Sequence, residues 1–236
     1  MLDAKRLLDQ FLGGQEGKAS GLGSVLGGMG GIGGGALAGG LAALLLGTKT
    51  GRKLGGSALK LGGMAAVGAL AYKAYRDWQA GKSAATAGAP QNIPSQTMLP
   101  PPSGSPFNPT SEDGQQKLAR MLLRAMIAAT KADGHIDEQE RARLVGEIDK
   151  LNLAADDKAF VMDELQAKLD IDAVAGAATT QEEAAEIYTA SLLAIDVDNA
   201  AERGYLTMLA ARLNLDDSLI AHLHQSVASA TASREK

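Results

Sequence analysis

The sequence contains no cysteine. Disulfides, thiol catalysis and thiolate-bound zinc are excluded together, although cytosolic and periplasmic proteins alike can lack the residue. Aromatic residues make up only 3% of the 236 positions. A single large core of this length normally draws on Phe, Tyr and Trp, which bury the most area per residue, so the composition argues against one. Proline is absent outside one stretch: all seven lie between positions 90 and 109. Strand-like alternation of β-branched residues is missing beyond position 113. There is no phosphate loop ending in Gly-Lys-Ser/Thr and no Ser–His–Asp arrangement with supporting context. The glycine run at 27–40 matches a dinucleotide fingerprint by composition alone, with no strand ahead of it.

What is present divides into two halves of opposite charge. Residues 1–89 hold ten Lys/Arg and four Asp/Glu, residues 90–110 hold none, and residues 111–236 hold thirteen Lys/Arg and twenty-three Asp/Glu. Balances of +6 and −10 give the net charge of −4. The basic half suits anionic lipid head groups. The acidic half suits a divalent metal ion or a basic protein partner, and nucleic acid is not expected as a ligand because it requires a basic face.

Residues 1–79 read as a glycine-rich, membrane-associating segment. Residues 2–12 form a short amphipathic helix, with Leu2, Leu8 and Leu12 on one face and Phe11 nearby; at that length it needs a surface or a partner. Residues 19–47 carry no charge over 29 positions. Such a run is long enough to cross a bilayer, as a transmembrane helix or membrane-inserted segment. Gly27/Gly31, Gly31/Gly35 and Gly35/Gly39 are G-x-x-x-G pairs, a spacing that lets helix backbones approach closely in lipid and favours a homo-oligomer. In water the same glycines give a flexible low-complexity tract, so both readings stand. Lys49, Arg52, Lys53 and Lys60 follow the run and mark a cytoplasmic side. Residues 61–78 form a weaker apolar stretch, expected as an interfacial helix with Tyr72, Tyr75 and Trp78 at a bilayer boundary.

Residues 80–112 read as a flexible Pro/Ala/Ser-rich linker. Residues 113–230 read as an all-α bundle of about seven helices, followed by a tail at 231–236. Leu118, Met121, Leu122, Ala125, Met126 and Ala129 follow the 3-and-4 spacing of a buried helix face, as do Leu206, Leu209 and Leu213, and then Leu219, Leu223 and Val227. The domain repeats with an offset of 62: Glu140-Arg141 answers Glu202-Arg203, Leu144 answers Leu206, and Leu151-Asn152-Leu153 answers Leu213-Asn214-Leu215.

Each repeat opens on an acidic loop. The first, Ala132 to Glu140, has the Asp-Gly-x-Ile-Asp-x-x-Glu order of the second half of an EF-hand loop, but Ala129 and Lys131 stand where its first two acidic ligands belong. Two readings of these loops stand. Asp137-x-x-Glu140, Asn199-x-x-Glu202 and Thr180-x-x-Glu183 are capping boxes. Alternatively Asp133, Asp137, Glu140, Asp196, Asp198 and Glu202 donate to a metal, and hard carboxylates without cysteine favour Ca²⁺, Mg²⁺ or Mn²⁺. His135 lies in the first loop. His222 and His224, at i and i+2, fall on different helix faces and do not chelate one ion together.

The strings K-A-D-G-H-I-D-E-Q-E and A-I-D-V-D-N-A-A-E, with Y-L-T-M-L-A-A-R-L-N-L, resemble the tellurite-resistance TerB-like helical domain over residues 113–230. With the glycine-rich N-terminus, the whole chain resembles the YebE-type family of bacterial inner-membrane proteins. The resemblance implies an all-α bundle facing the cytoplasm, no enzymatic activity, and divalent metal held by Asp133, Asp137, Glu140, Asp196, Asp198 and Glu202. Asn199 replaces the acid paired with Asp137, which weakens a symmetric two-loop site. A link to tellurite does not follow from the fold.

Overall fold

The structure, a computed structural model, describes residues 3–11, 63–87, 100–132, 155–195, 197 and 200–232. The described residues form helices and connecting turns only: α1 (Ala4–Phe11), α2 (Gly63–Ala87), α3 (Glu112–Thr130), α4 (Ala155–Gln166), α5 (Ile171–Ala175), α6 (Gln181–Ala194), α7 (Ala200–Arg212) and α8 (Asp217–Ala232). The all-α expectation holds among them. Six of the expected seven or so helices of the C-terminal region, α3 to α8, are described.

Side-chain caps start the helices. Asp3 accepts from Arg6 N at 3.0 Å, Ser111 from Gly114 N at 3.2 Å and Asp170 from Ala173 N at 2.9 Å. Each bond satisfies one of the amides that a helix start leaves without an intrahelical partner. Thr180 heads α6 as the capping-box reading expects: its hydroxyl accepts from Glu183 N at 3.2 Å. The Glu183 carboxylate reaches back one residue further than the motif predicts, to Thr179 N at 2.6 Å. The Leu213-Asn214-Leu215 turn ends α7. Asn214 takes a left-handed φ of 51°, which Asn tolerates better than most residues. Its N–H donates to Ala211 O at 3.2 Å, and Leu215 N donates to Ala210 O at 3.1 Å, the paired bonds of a Schellman end.

α6 is the centre of the fold. Every residue from Ala184 to Ala194 is buried, and a helix apolar all round belongs in a core. It packs against α2, α3, α5, α7 and α8. The stripe on α3 identified by spacing, Leu118 to Ala129, faces it and is buried.

The N-terminal helices α1 and α2 pack against this core, across the boundary expected at 79/80. α1 finds its partner in protein: Leu7 and Leu8 are buried among the residues of α2 and α3. Asp3 N donates to Asp157 Oδ1 at 2.7 Å, and Gln116 Nε2 donates to Asp3 Oδ1 at 2.9 Å. α2 runs to Ala87 and lies across α6 and α8. Its apolar face (Val67, Leu70, Ala71, Ala74, Trp78) is buried. The aromatics expected at a bilayer boundary pack inward instead. Tyr72 and Tyr75 meet Phe107 with ring centroids 5.5 and 5.7 Å apart, and Trp78 is 5% exposed. The physical reason is that a short apolar helix is satisfied by either solvent, and here α6 and α8 cover it. Within the stretch expected as an interfacial helix, residues 63–78 lie in α2, packed on α6 and α8.

The linker expectation also contracts. Residues 100–111 form a turn tied by Gly104 N to Asn108 O at 2.8 Å and Asn108 N to Ser105 O at 2.9 Å, and its Phe107 is 4% exposed. Among the described residues no helix is long and apolar enough to cross a membrane. The uncharged run at 19–47, with Gly27, Gly31, Gly35 and Gly39, lies outside the described residues.

Candidate functional site

α6, α7 and α8 enclose a cleft of about 510 Å³. Its apolar wall comes from Val197, Leu206, Ala210, Leu215 and Ile220. The lining residues Arg203, Leu206, Thr207 and Ala210 of α7, and Asp217, Ile220 and His224 of α8, recur at spacings of three and four residues, so the repeat that builds each helix also lines the cleft. Tyr188 of α6 and His224 of α8 supply polar groups, and their Oη and Nε2 lie 2.9 Å apart. The rings meet edge-on with centroids 5.8 Å apart. Burial pushes the Tyr188 hydroxyl up to about 12 and lowers the His224 imidazole below its usual value. Both are therefore neutral at neutral pH, one donating and the other accepting. Arg203 and Asp217, both exposed, add one charge of each sign to the lining.

Val197 connects this cleft to the second acidic loop, because it stands between Asp196 and Asp198 in the chain. Of the six expected metal donors, Glu202 alone is described. It sits in the first turn of α7, half-buried. Asp133, Asp137, Glu140, Asp196 and Asp198 lie outside the described residues, as does His135. Among the described residues no group of three or more His, Asp or Glu side chains is arranged to hold a metal. His222 and His224 go separate ways, as their spacing requires: His222 Nδ1 is 2.7 Å from Ser218 O, whereas His224 meets Tyr188.

Two buried polar groups escaped the sequence reading. Glu186 is 0% exposed, and neither carboxyl oxygen has a hydrogen-bond partner among the described residues. Burial raises its pKa well above the usual carboxyl range, and the Glu183 and Glu182 charges add to the effect. Tyr205 is 3% exposed, and burial raises its hydroxyl to about 12 against an opposing effect of Ser191. The signal for Glu186 was legible: it is an acid inside Ala184-Ala185-Glu186-Ile187-Tyr188, on a helix with no polar face.

Residues 31–227 match a family described as protein of unknown function (DUF533). The chain belongs to that family, which is TerB-like. The DUF533 match begins inside the glycine run and ends in α8, so it crosses the 79/80 boundary as the packing does. A Yersinia enterocolitica protein, described as an uncharacterized protein in ampR 5'region, is 28% identical over 112 residues, covering 48% of this chain and 80% of the relative. No solved structure matches.

Proposed function

We propose that this DUF533 chain is a non-catalytic, membrane-tethered binding module that takes a divalent cation on its acidic loops and reads the binding out through the α6–α7–α8 cleft. The observation that carries the reading is the position of Val197: a residue of the second acidic loop lines the cleft opposite helices that hold Tyr188 and His224. Drawing carboxylates of that loop around a cation would move Val197, and with it the cleft wall. A module of this kind needs no nucleophile or positioned base. Tyr188 and His224 are neutral and bonded to each other, an arrangement suited to recognition.

Three features support the cation and tether parts. The two loops of the repeat carry Asp133, Asp137, Glu140, Asp196, Asp198 and Glu202, of which Glu140 and Glu202 stand in corresponding positions. Carboxylate oxygens are the ligands that Ca²⁺, Mg²⁺ and Mn²⁺ prefer. The uncharged run at 19–47, followed by four cations, is the natural tether to the cytoplasmic face of an inner membrane.

The experiment is calorimetric titration of the intact chain with Ca²⁺, Mg²⁺ and Mn²⁺, repeated on Asp198→Ala and Asp133→Ala. Saturable heat with at least one cation, weakened in either variant, is expected. Heat that is absent for all three cations, or unchanged in both variants, defeats the cation reading. Fractionation of cells checks the tether: recovery of the chain wholly in the soluble fraction counts against it.

A further inference from the structure

We propose that docking of α2 onto the bundle is gated by protonation of the Glu186 carboxyl. Glu186 stands where α6, α2 and the turn at 100–110 converge. Gly68 of α2 marks that junction, since a Cβ placed there would lie 2.7 Å from Phe107 O and 3.4 Å from Glu186 Oε1. α2 therefore closes directly over the acid, and closure leaves Glu186 shut off from bulk solvent and without a hydrogen-bond partner among the described residues. A carboxylate cannot be held there uncompensated, whereas a neutral carboxylic acid can.

Among the described residues the charged groups around it do not supply a counter-ion; on α2, Lys73 and Arg76 pair with Asp77. Along α6 stand Glu182 and Glu183, both acids. From α3, Lys117 is committed to Glu183 at 2.8 Å. From α2, Tyr75 engages Glu182 and Gln79. The turn offers a backbone carbonyl, Phe107 O. His222 and His224 lie on α8, which also packs on α2.

The direction follows from linkage. The folded value is raised, so the contribution of Glu186 is fully present below the unfolded value of about 4.5. It is lost as pH rises toward and through the folded value. Over that interval the docking equilibrium of α2 falls about tenfold per pH unit, one proton being released. Undocking frees α2, the first described helix after the glycine-rich run, from the bundle.

The chain has one tryptophan, Trp78, and it is buried on α2. Its emission therefore reports docking. The intact wild-type chain and Glu186→Gln are titrated from about pH 5 to about pH 9, a window that spans documented buried-Glu values, with helix content followed by circular dichroism. The wild type is expected to shift reversibly to the red on raising the pH while keeping most of its helix. Glu186→Gln, neutral throughout, should keep the blue emission; every other ionisable group is common to both proteins, so the difference isolates Glu186. Gly68→Ala should already be red-shifted at acid pH. A flat wild-type profile, identical profiles in wild type and Glu186→Gln, an unfolded Glu186→Gln, or wild-type emission from Gly68→Ala would each overturn the proposal.

Discussion

The indole N–H of Trp78 donates to the Ser218 hydroxyl at 2.9 Å, across 140 residues of chain. Ser218 in turn donates to Asp216, in the turn that opens α8. One short relay thus fastens a helix of the glycine-rich half to the start of the last helix. Ser218→Ala removes this acceptor, and a cost of about 1 kcal/mol is expected. Urea unfolding followed by Trp78 emission measures it; no change in midpoint would mean that the relay is incidental.

Gly68→Ala tests the close approach of α2 as a matter of stability. The new methyl would meet the backbone carbonyl of Phe107 at 2.7 Å, an atom that cannot rotate away. Overpacking of this kind costs roughly 1–3 kcal/mol. Thermal unfolding checks it, with Gly204→Ala as the control, because nothing lies within 4 Å of a Cβ at Gly204. On helix propensity alone Gly204→Ala should stabilise by up to about 1 kcal/mol.

The core and the surface of α7 should differ sharply. Leu209 is 0% exposed and Met208 is 52% exposed, although they are neighbours in sequence. Leu209→Ala should cost about 2–5 kcal/mol, and Met208→Ser should stay within about 0.5 kcal/mol of wild type. Chemical denaturation of the two variants gives the comparison directly.

His224 gives a pH prediction of opposite sign to that of Glu186. Burial depresses its folded pKa below the usual 6.5. Its contribution is therefore present above pH 6.5 and is lost as pH falls through the folded value. His224→Gln should flatten the acid side of the stability profile measured by thermal melts between neutral pH and about pH 5. An unchanged acid limb would show that the imidazole is not the group responsible.

Much of the bundle was legible because its signals are local. The 3-and-4 spacing at Leu118, Met121, Leu122 and Ala125 identified the buried face of α3, and Thr180 with Glu183 marked the start of α6. The Leu-Asn-Leu turn at 213–215 was equally readable, since the left-handed residue and its bonds all fall within six positions. The docking of α2 was not. Periodicity shows that a helix has an apolar face, but not whether lipid or protein covers it. Tyr72, Tyr75 and Trp78 suit both, and their partners Phe107 and Ser218 are distant in sequence. The cleft was hidden for the same reason. Tyr188 and His224 are 36 residues apart, and no spacing rule joins a tyrosine on one helix to a histidine two helices later.

The three histidines provide the most direct test of the central claim that cation binding at the acidic loops is felt in the cleft. His135 lies in the first loop, His224 lines the cleft, and His222 bonds elsewhere on α8. Imidazole NMR signals of the intact chain are followed during titration with Ca²⁺, Mg²⁺ and Mn²⁺, the diamagnetic ions through shifts and Mn²⁺ through broadening. The account predicts saturable changes at His135 and His224 and a steady His222. No change at excess cation, or equal drift of all three, would contradict it.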